Sequence, residues 1–402
     1  MREPPHAEGV VVGVEEATVS GRLRQIIAEE IGGEGPLPFV RFMELCLYHP
    51  QEGYYTSGKS CRGREGDYYT SPTVHPLFGA LIAKQVAQMW RIMGSGAFQI
   101  VEMGGGEGYL CVDILDYLRH KEGQFYSILT YHMVEISPVM IERQRELLSH
   151  HGGKVRWDQP DQIRAMNISG CFISNELVDS FPVHRVVQEG GKLQELYVDL
   201  DNGVFQEILK DPSTPELGAY FQRMGITLAE GQGAEVNLEA RRWLQGVAQG
   251  MERGFVVTID YGYSARELFS PLRRRGTFLC YRDHQALADP YARLGLQDMT
   301  AHVDFSSLID WGEKHGLALT GLVPQYRFLL ALGILDEVAR LGDEEEGWET
   351  VAERLTIKNL ILPGGMGETY KVLIQHKGIE SPQLDGLRGN IQGGEQWSMK
   401  HS

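Results

Sequence analysis

The chain is organised around one stretch of sequence, Phe98-Gln99-Ile100-Val101-Glu102-Met103-Gly104-Gly105-Gly106-Glu107-Gly108-Tyr109-Leu110. Its first four residues form an apolar run that is typical of a buried parallel strand. The glycines that follow predict a turn in which the backbone can approach a ligand closely. Apolar residues then recur at helical spacing from 109 to 120, which predicts a helix lying on a sheet. Strand, glycine turn and helix together indicate an α/β fold with a nucleotide-binding entrance.

The order of the glycines distinguishes between nucleotides. The dinucleotide fingerprint G-x-G-x-x-G, counted from Gly104 and Gly106, requires a third glycine where Tyr109 stands. The sequence therefore disfavours a nicotinamide oxidoreductase. The pattern that is present, E-x-G-x-G-x-G from Glu102 to Gly108, resembles the first motif of class I S-adenosylmethionine-dependent methyltransferases. The methionine part of that cofactor carries an ammonium group and a sulfonium but no phosphate, so an acidic residue beside the loop is compatible with it.

A second acidic residue supports an adenosine ligand. Residues 131–134 read as the next strand, and the strand ends at Glu135. An acidic side chain near the tip of the second strand is where α/β folds accept hydrogen bonds from ribose hydroxyls, so Glu135 is predicted to have this role. Ser137 and Pro138 then predict the N-cap and the first residue of a helix that runs to residue 148.

Polar residues follow the predicted fourth strand, residues 171–174, and a methyl acceptor is expected there. Open parallel sheets bind their ligands outside the carboxyl ends of the strands. Glu176 and Asp179 are three residues apart, and both are predicted to face the acceptor. Their other interpretation is a capped helix start. His302, in a later loop, is predicted to orient a carboxylate or to accept a proton, with a packed polar residue as the alternative.

Composition excludes several function classes. The 54 acidic residues outnumber the 38 basic ones and give a net charge of −16, which argues against nucleic acid as a partner. The five cysteines are scattered without a C-x-x-C pair, and His150-His151 is interpreted as a helix end, so no disulfide and no metal site is predicted. No apolar run is long enough to span a membrane, and the first residues are mixed and acidic. These features predict a soluble protein in the cytoplasm.

The pattern along the chain predicts one methyltransferase domain with additions. The predicted segments are a flexible N-terminus at 1–18, a helical and lid segment at 19–97, the domain itself at 98–377 with insertions at about 183–250 and 263–305, and a disordered tail at 378–402. The loop at 49–76 is rich in tyrosine and is predicted to form a lid or wall over the cofactor, with a surface loop packed by its own aromatic side chains as the alternative. Residues 370–375 are predicted to form a last strand at a hairpin edge.

Taken together, these segments resemble the MidA-like methyltransferases. The matching pieces are Phe42-Met43, Leu47-Tyr48-His49-Pro50, Gly53-Tyr54-Tyr55, residues 66–72, residues 102–108, Asn175-Glu176 with Asp179 and Pro182, Asp260-Tyr261-Gly262, residues 300–305 and residues 364–371. They span residues 38 to 375. The glycine loop departs from the family pattern, in which a proline stands second.

The resemblance implies a class I, Rossmann-like, seven-stranded sheet with a helical N-terminal segment and an inserted subdomain. It also implies S-adenosyl-L-methionine as the cofactor, bound by Glu102, the alternate glycines Gly104, Gly106 and Gly108, Glu135 and Asn175. The family includes a mitochondrial protein arginine methyltransferase that assists assembly of respiratory complex I. The expected partner is therefore a protein substrate, with a respiratory complex subunit as one candidate. A non-catalytic assembly or docking protein that keeps the fold remains the alternative, and the oligomeric state stays open.

Overall fold

The structure is a computed structural model that describes residues 9–58, 75–282, 285–340, 357–358, 360–361 and 369–388, with the backbone alone for 9–20. The helices are α1 (Gly9–Glu34), α2 (Phe39–Tyr48), α3 (Leu77–Ile92), α4 (Tyr109–Lys121), α5 (Gly123–Ile128), α6 (Pro138–Leu147), α7 (Glu216–Met224), α8 (Glu239–Gly250), α9 (Ala265–Leu268), α10 (Phe305–Lys314), α11 (Gln325–Ala331) and α12 (Ile334–Arg340). None of them is both long and apolar enough to cross a membrane.

The strands alternate with these helices through most of the chain. They are β1 (Leu37–Pro38), β2 (Phe98–Met103), β3 (Leu129–Val134), β4 (Val155–Asp158), β5 (Ile168–Asn175), β6 (His184–Glu189), β7 (Lys192–Asp201), β8 (Val204–Lys210), β9 (Gly233–Val236), β10 (Met251–Tyr263), β11 (Leu279–Arg282), β12 (Gln285–Leu287), β13 (Asp298–Thr300), β14 (Val303–Asp304), β15 (Ala318–Pro324) and β16 (Tyr370–Lys377).

One large sheet forms the centre of the molecule. Its order is β15-β16-β10-β5-β2-β3-β4, and β14 pairs with the end of β10 as an eighth strand. The five strands from β10 to β4 are parallel to one another, whereas β16 runs antiparallel to both of its neighbours. The predicted Rossmann-like sheet of seven strands is thereby confirmed. The order reverses between β2 and β5, where their carboxyl ends open a crevice for a ligand.

Both faces of the central sheet are buried. Side chains alternate along β2, so that Ile100 packs with α3 and α4 on one face while Val101 and Met103 pack with α8 and α10 on the other. This explains why β2 reads as a continuous apolar run instead of an alternating pattern.

A smaller antiparallel sheet covers one end of the domain. Strands β6, β7 and β8 confirm the antiparallel insertion predicted after Pro182, and β9 extends it. The N-terminal strand β1 also joins this sheet by pairing with β7. Helices α1 and α2 share a hydrophobic core with its inner face, so the N-terminal segment and the insertion form one layer.

The structure differs from the sequence predictions at three places. Helix α1 begins at Gly9, whereas the pattern predicted a flexible segment and a helix start at Gly21. Strand β16 lies between β10 and β15, so the hairpin-edge prediction for it was wrong. Residues 378–388 were expected to be disordered but pack on α3, where the Gly386 amide donates to Gln85 Oε1 at 2.8 Å. Residues 59–74 of the predicted lid, which include the matching piece 66–72, lie outside the described residues, as do residues 364–368 of the last matching piece.

Candidate functional site at the carboxyl ends of the central strands

The glycine loop joins β2 to α4 and lies directly on neighbouring side chains. Gly104 has φ +70°, and a Cβ there would lie 2.8 Å from Leu177 Cδ1. A Cβ at Gly105 would lie 2.6 Å from Met133 Cε and 3.0 Å from Glu102 Oε1. No heavy atom lies within 4 Å of the corresponding position at Gly106, so that part of the loop faces open space. The loop can therefore offer its backbone to a ligand on the open side while its other side is closely packed.

Glu102 lies beneath this loop, fully buried at the end of β2. Its Oε2 accepts a hydrogen bond of 2.6 Å from the hydroxyl of Tyr131 on the neighbouring strand β3. Burial raises the pKa of Glu102 to about 7, although the Tyr131 hydrogen bond opposes that shift. The carboxyl group therefore supports the loop from below, and its charge changes near neutral pH.

Glu135 lies at the end of β3, as predicted, and is tied to the start of α6. Its Oε1 accepts the backbone amides of Ile136 at 2.8 Å and Ser137 at 2.9 Å. Ser137 caps α6 by accepting the Met140 amide, as its sequence position predicted. The carboxylate is thus held in one orientation at the mouth of the crevice.

Gln144 is a buried polar residue that sequence reasoning missed. Its Nε2 donates to the Gly106 carbonyl at 2.6 Å and also lies 3.4 Å from Glu135 Oε2. Its Oε1 accepts a hydrogen bond of 2.9 Å from Trp157 Nε1 on β4. One side chain from α6 therefore joins the glycine loop, the second acidic residue and the edge of the sheet. Gln144 stands four residues after Met140, on the buried face of the predicted helix, and a polar residue on that face was the signal available in the sequence.

Asn175 and Glu176 end β5 beside the glycine loop. The Glu176 backbone has φ +52°, a left-handed conformation that costs a non-glycine residue about 1–2 kcal/mol. Its carboxylate accepts hydrogen bonds from Asn175 Nδ2 at 3.1 Å and from the Tyr370 hydroxyl at 2.9 Å. A strained backbone persists only where the surrounding structure holds it, and here the contacts with Asn175 and Tyr370 fix the carboxylate in place.

Asp179 lies one turn further, buried beside two other carboxylates. Its Oδ1 atom makes no hydrogen bond within the described structure, although the Tyr261 hydroxyl contacts this carboxyl group. Burial, followed by the charge of Asp260, holds the pKa of Asp179 well above its usual range. Glu176 shifts it further in the same direction. A buried acid with an unpartnered oxygen is costly unless a ligand completes it.

Asp260 positions the turn that carries these residues. Its Oδ2 accepts the backbone amides of Val178 at 2.9 Å and Asp179 at 3.3 Å, and its Oδ1 accepts the Tyr261 amide at 2.9 Å. The alternative reading of Glu176 and Asp179 as a helix start is therefore partly correct. Residues Val178–Ser180 do form a short 3-10 helix, but Asp260 caps it from another strand.

His302 lies in the segment between β13 and β14 and faces the same site. Its ring lies between those of Tyr261 and Tyr263, with centroids at 5.1 and 5.4 Å, and its Nδ1 makes no hydrogen bond within the described structure. The adjoining Ala301 amide donates to the Asp179 carbonyl at 3.0 Å. Burial and then the charge of Arg273 lower the pKa of His302 to about 4, so the imidazole is neutral at pH 7.

Two tyrosines, one at the end of α2 and one in the loop that follows it, lie against the site. The Tyr48 hydroxyl lies 3.1 Å from both polar oxygens of Ser180, and Tyr55 donates a hydrogen bond to buried Asp298 on β13. The rings of Tyr48 and Tyr55 are in contact, with centroids 5.3 Å apart. This part of the tyrosine-rich loop is ordered against the acidic residues.

The structure thus gathers the predicted residues into two adjoining groups. Glu102, Glu135 and the glycines surround the crevice at β2 and β3, whereas Glu176, Asp179 and His302 lie around the ends of β5 and β10. Leu177, which contacts Gly104, joins the two groups. The arrangement can hold a nucleoside-type ligand beside an acidic pocket, which is the carboxylate cluster of Glu176, Asp179 and Asp260.

Comparison with known proteins shows which family and which solved structure this chain resembles. Residues 81–323 match the model of a family described as "Putative S-adenosyl-L-methionine-dependent methyltransferase". The crystal structure of a protein from Burkholderia thailandensis bound to S-adenosyl-homocysteine superposes with a TM-score of 0.84 at 30% sequence identity, covering 96% of this chain and 98% of that chain.

Curated relatives carry a more specific description. The chain is 29% identical to "Protein arginine methyltransferase NDUFAF7 homolog, mitochondrial" of Drosophila melanogaster, over 91% of this chain and 87% of the relative. It is 27% identical to the Homo sapiens protein arginine methyltransferase NDUFAF7, over 91% and 86%. The names of both relatives specify mitochondria. The cytoplasmic location predicted from the N-terminal sequence is therefore wrong.

We predict that Glu102→Gln changes the pH dependence of stability. The pKa of Glu102 rises from 4.5 to about 7 on folding, so its protonated form stabilises the native state. That stabilisation is present below pH 4.5 and is lost as the pH rises through about 7. The variant, which is neutral throughout, should gain about 3 kcal/mol in unfolding free energy relative to wild type between pH 4.5 and 8. Denaturant unfolding across this range measures the difference, and a constant difference would contradict the assignment.

We also predict that Gln144→Leu weakens binding of S-adenosylmethionine about tenfold, because the loss of one buried hydrogen bond to Gly106 releases the glycine loop. Calorimetric titration with the cofactor measures the effect. Glu142→Leu, an exposed change on the same helix, is the matched control and should leave the affinity unchanged. Equal affinities in both variants would show that Gln144 does not organise the loop.

Proposed function

We propose that this chain, which belongs to the family of S-adenosylmethionine-dependent methyltransferases, methylates an arginine side chain of a protein substrate. Two observations support arginine as the methyl acceptor. The curated relatives from fly and human are named as protein arginine methyltransferases. In addition, the buried Asp179 carboxyl group beside Glu176 has an oxygen without a hydrogen-bond partner among the residues that the structure describes, and this is the observation that carries the proposal. A guanidinium group has the charge and the donors to complete such a site.

The residues around the crevice fit the cofactor. The glycine loop is closed by Leu177 and Glu102 on one side and open at Gly106, so it leaves room for a ligand against its backbone. We assign Gly104, Gly106 and Gly108 to contact with the cofactor, with Glu102 supporting the loop. Glu135 would hold the ribose hydroxyls, and Asn175 would lie near the methionine part. When bound, S-adenosylmethionine supplies an electrophilic methyl group on its sulfonium.

Glu176 and Asp179 would bind the acceptor guanidinium through its fork of donors. Planar carboxylates accept such donors in pairs, which fixes the orientation of the nitrogen that is methylated. Alignment of the acceptor is the main contribution that an enzyme makes to an in-line displacement. The buried carboxylates repel one another, so an incoming cation also relieves their mutual repulsion.

His302 would take part after the acceptor nitrogen has reacted. A guanidinium that gains a methyl group must lose one proton from the reacting nitrogen to keep its single positive charge. His302 is neutral at pH 7, and its Nδ1 has no hydrogen-bond partner within the described structure, so it has a free lone pair for that proton. Because burial and the charge of Arg273 lower the pKa of His302 to about 4, the imidazole would hold the proton only briefly before it passes to solvent. Its contacts with Tyr261 and Tyr263 hold the ring in place.

The proposed partner is a protein that presents an arginine to the tyrosine-lined pocket. The resemblance to an assembly factor of respiratory complex I makes a subunit of that complex the first substrate to test. The non-catalytic docking protein is the competing function, and it predicts cofactor binding without turnover. Measurement of methyl transfer therefore separates the two.

We predict that Glu176→Gln reduces methyl transfer at least 100-fold while leaving the affinity for S-adenosyl-homocysteine within threefold. Removal of one charged hydrogen-bonding partner from a buried pair costs about 3 kcal/mol of acceptor binding. The assay incubates purified protein, labelled S-adenosylmethionine and cell extract, and identifies methylarginine in the protein hydrolysate.

Asp179→Asn should have a similar effect on transfer, because the amide resembles the protonated acid and carries no charge for the guanidinium. Glu142→Gln, an exposed change, is the control for both variants. Wild-type transfer in Glu176→Gln would remove this residue from the reaction. If the labelled methyl group appears in protein but no methylarginine is found in the hydrolysate, arginine is not the acceptor. The methyltransferase activity itself would still stand.

A further inference from the structure

Three side chains that the reaction does not use meet on the helical face of the domain. Asp116 lies on α4, and His150 and His151 form most of the short 3-10 helix Ser149–His151 that follows α6. Asp116 Oδ1 lies 3.4 Å from His151 Nε2 and 3.6 Å from His150 Nε2. The position of His150-His151 at a helix end is as predicted, but no pattern in the sequence indicated that Asp116 lies beside them.

The buried ring of His151 also indicates a bound ligand. Its side chain is fully buried, and its Nε2 makes no hydrogen bond within the described structure although it is directed at Asp116. Its other ring nitrogen, Nδ1, lies 3.0 Å from the Tyr126 hydroxyl. Metal-bound histidines are commonly oriented in this way by a hydrogen bond to the nitrogen that does not bind the metal. An unpartnered buried nitrogen is otherwise an unexplained cost.

The spacing of the three atoms suits a tetrahedral ion. Zinc binds imidazole nitrogen and carboxylate oxygen at about 2.0–2.1 Å, which places neighbouring ligand atoms of a tetrahedron about 3.4 Å apart. The two measured distances, 3.4 and 3.6 Å, match this value, and all three atoms lie within 4.8 Å of one another. They are also longer than an ordinary N–H···O hydrogen bond, so direct pairing explains them less well.

The surroundings leave a fourth position open. The side chains of His150 and Asp116 are 45% and 47% exposed, so solvent can reach the site from their side, whereas His151 Nε2 faces it from the buried side. The four described cysteines are buried and distributed over other elements, and none belongs to this cluster. Two imidazoles and one carboxylate with a water molecule make a ligand set that suits zinc.

We propose that Asp116, His150 and His151 form a binding site for one divalent transition-metal ion of the zinc type. The ion joins α4, which begins at the glycine loop, to the short 3-10 helix that directly follows α6, the helix that carries Gln144. Because a native site binds the ion and an unfolded chain does not hold these residues together, the metal stabilises the folded protein. The site is separate from the acidic pocket and is independent of the proposed acceptor.

The experiment titrates the full-length protein, freed of metal with a chelator, with ZnCl2 by calorimetry. One equivalent should bind, and a hundredfold excess of zinc over its dissociation constant should raise the melting temperature by about 3 °C. CoCl2 in place of zinc provides a spectroscopic readout, since tetrahedral cobalt absorbs strongly in the visible range. His150→Ala and Asp116→Ala, both changes of half-exposed side chains, should each weaken binding at least tenfold and remove the tetrahedral absorption.

Two controls keep the result specific. His315→Ala removes a partly exposed histidine outside the cluster and should leave zinc affinity unchanged. Glu176→Gln tests whether zinc binds the acidic pocket instead. Unchanged zinc binding in both His150→Ala and Asp116→Ala would overturn the proposal, as would failure of the wild-type protein to bind zinc below millimolar concentrations.

Discussion

The site depends on the buried carboxylate of Asp260. This side chain is fully buried at the end of β10, and it accepts three backbone amides, two of which belong to the turn after β5. A buried carboxylate is costly unless its oxygens are hydrogen-bonded, so these contacts are what make its position possible. They also connect two central strands at their carboxyl ends. The turn that carries Glu176 and Asp179 is therefore fixed by a residue from a neighbouring strand and not by its own helix.

This connection has an electrostatic consequence. Asp260 and Glu176 lie near Asp179, and burial together with their charges raises the pKa values of Asp179 and Asp260. The left-handed backbone of Glu176 adds strain to the free-energy cost of burying these carboxyl groups. A site that is unfavourable without its ligand is a common compromise between stability and activity. Under the proposed function, a cationic acceptor relieves the repulsion, and we therefore expect the acidic pocket to bind guanidinium in preference to neutral groups of the same shape.

Local sequence patterns predicted the parts of the fold that depend on neighbouring residues. The glycine loop, the strand before it and the Ser137 cap were predicted because each depends on a few adjacent side chains. The position of β16 was not, because an apolar strand reads the same at an edge as between β10 and β15. The packing of residues 378–388 on α3 was missed because it depends on Gln85, which is remote in sequence. The contacts of Gln144 and the contact between Asp116 and His151 were missed for the same reason, because the partners are remote in sequence.

The central claim is that the acidic pocket recognises a guanidinium cation. The most direct test is to titrate the protein, saturated with S-adenosyl-homocysteine, with ethylguanidinium and with ethylurea, its neutral counterpart of nearly equal shape. Calorimetry measures both affinities. The account predicts that ethylguanidinium binds at least tenfold more tightly, because only the cation is attracted to the carboxyl groups of Glu176 and Asp179. Equal binding of the two compounds would contradict it.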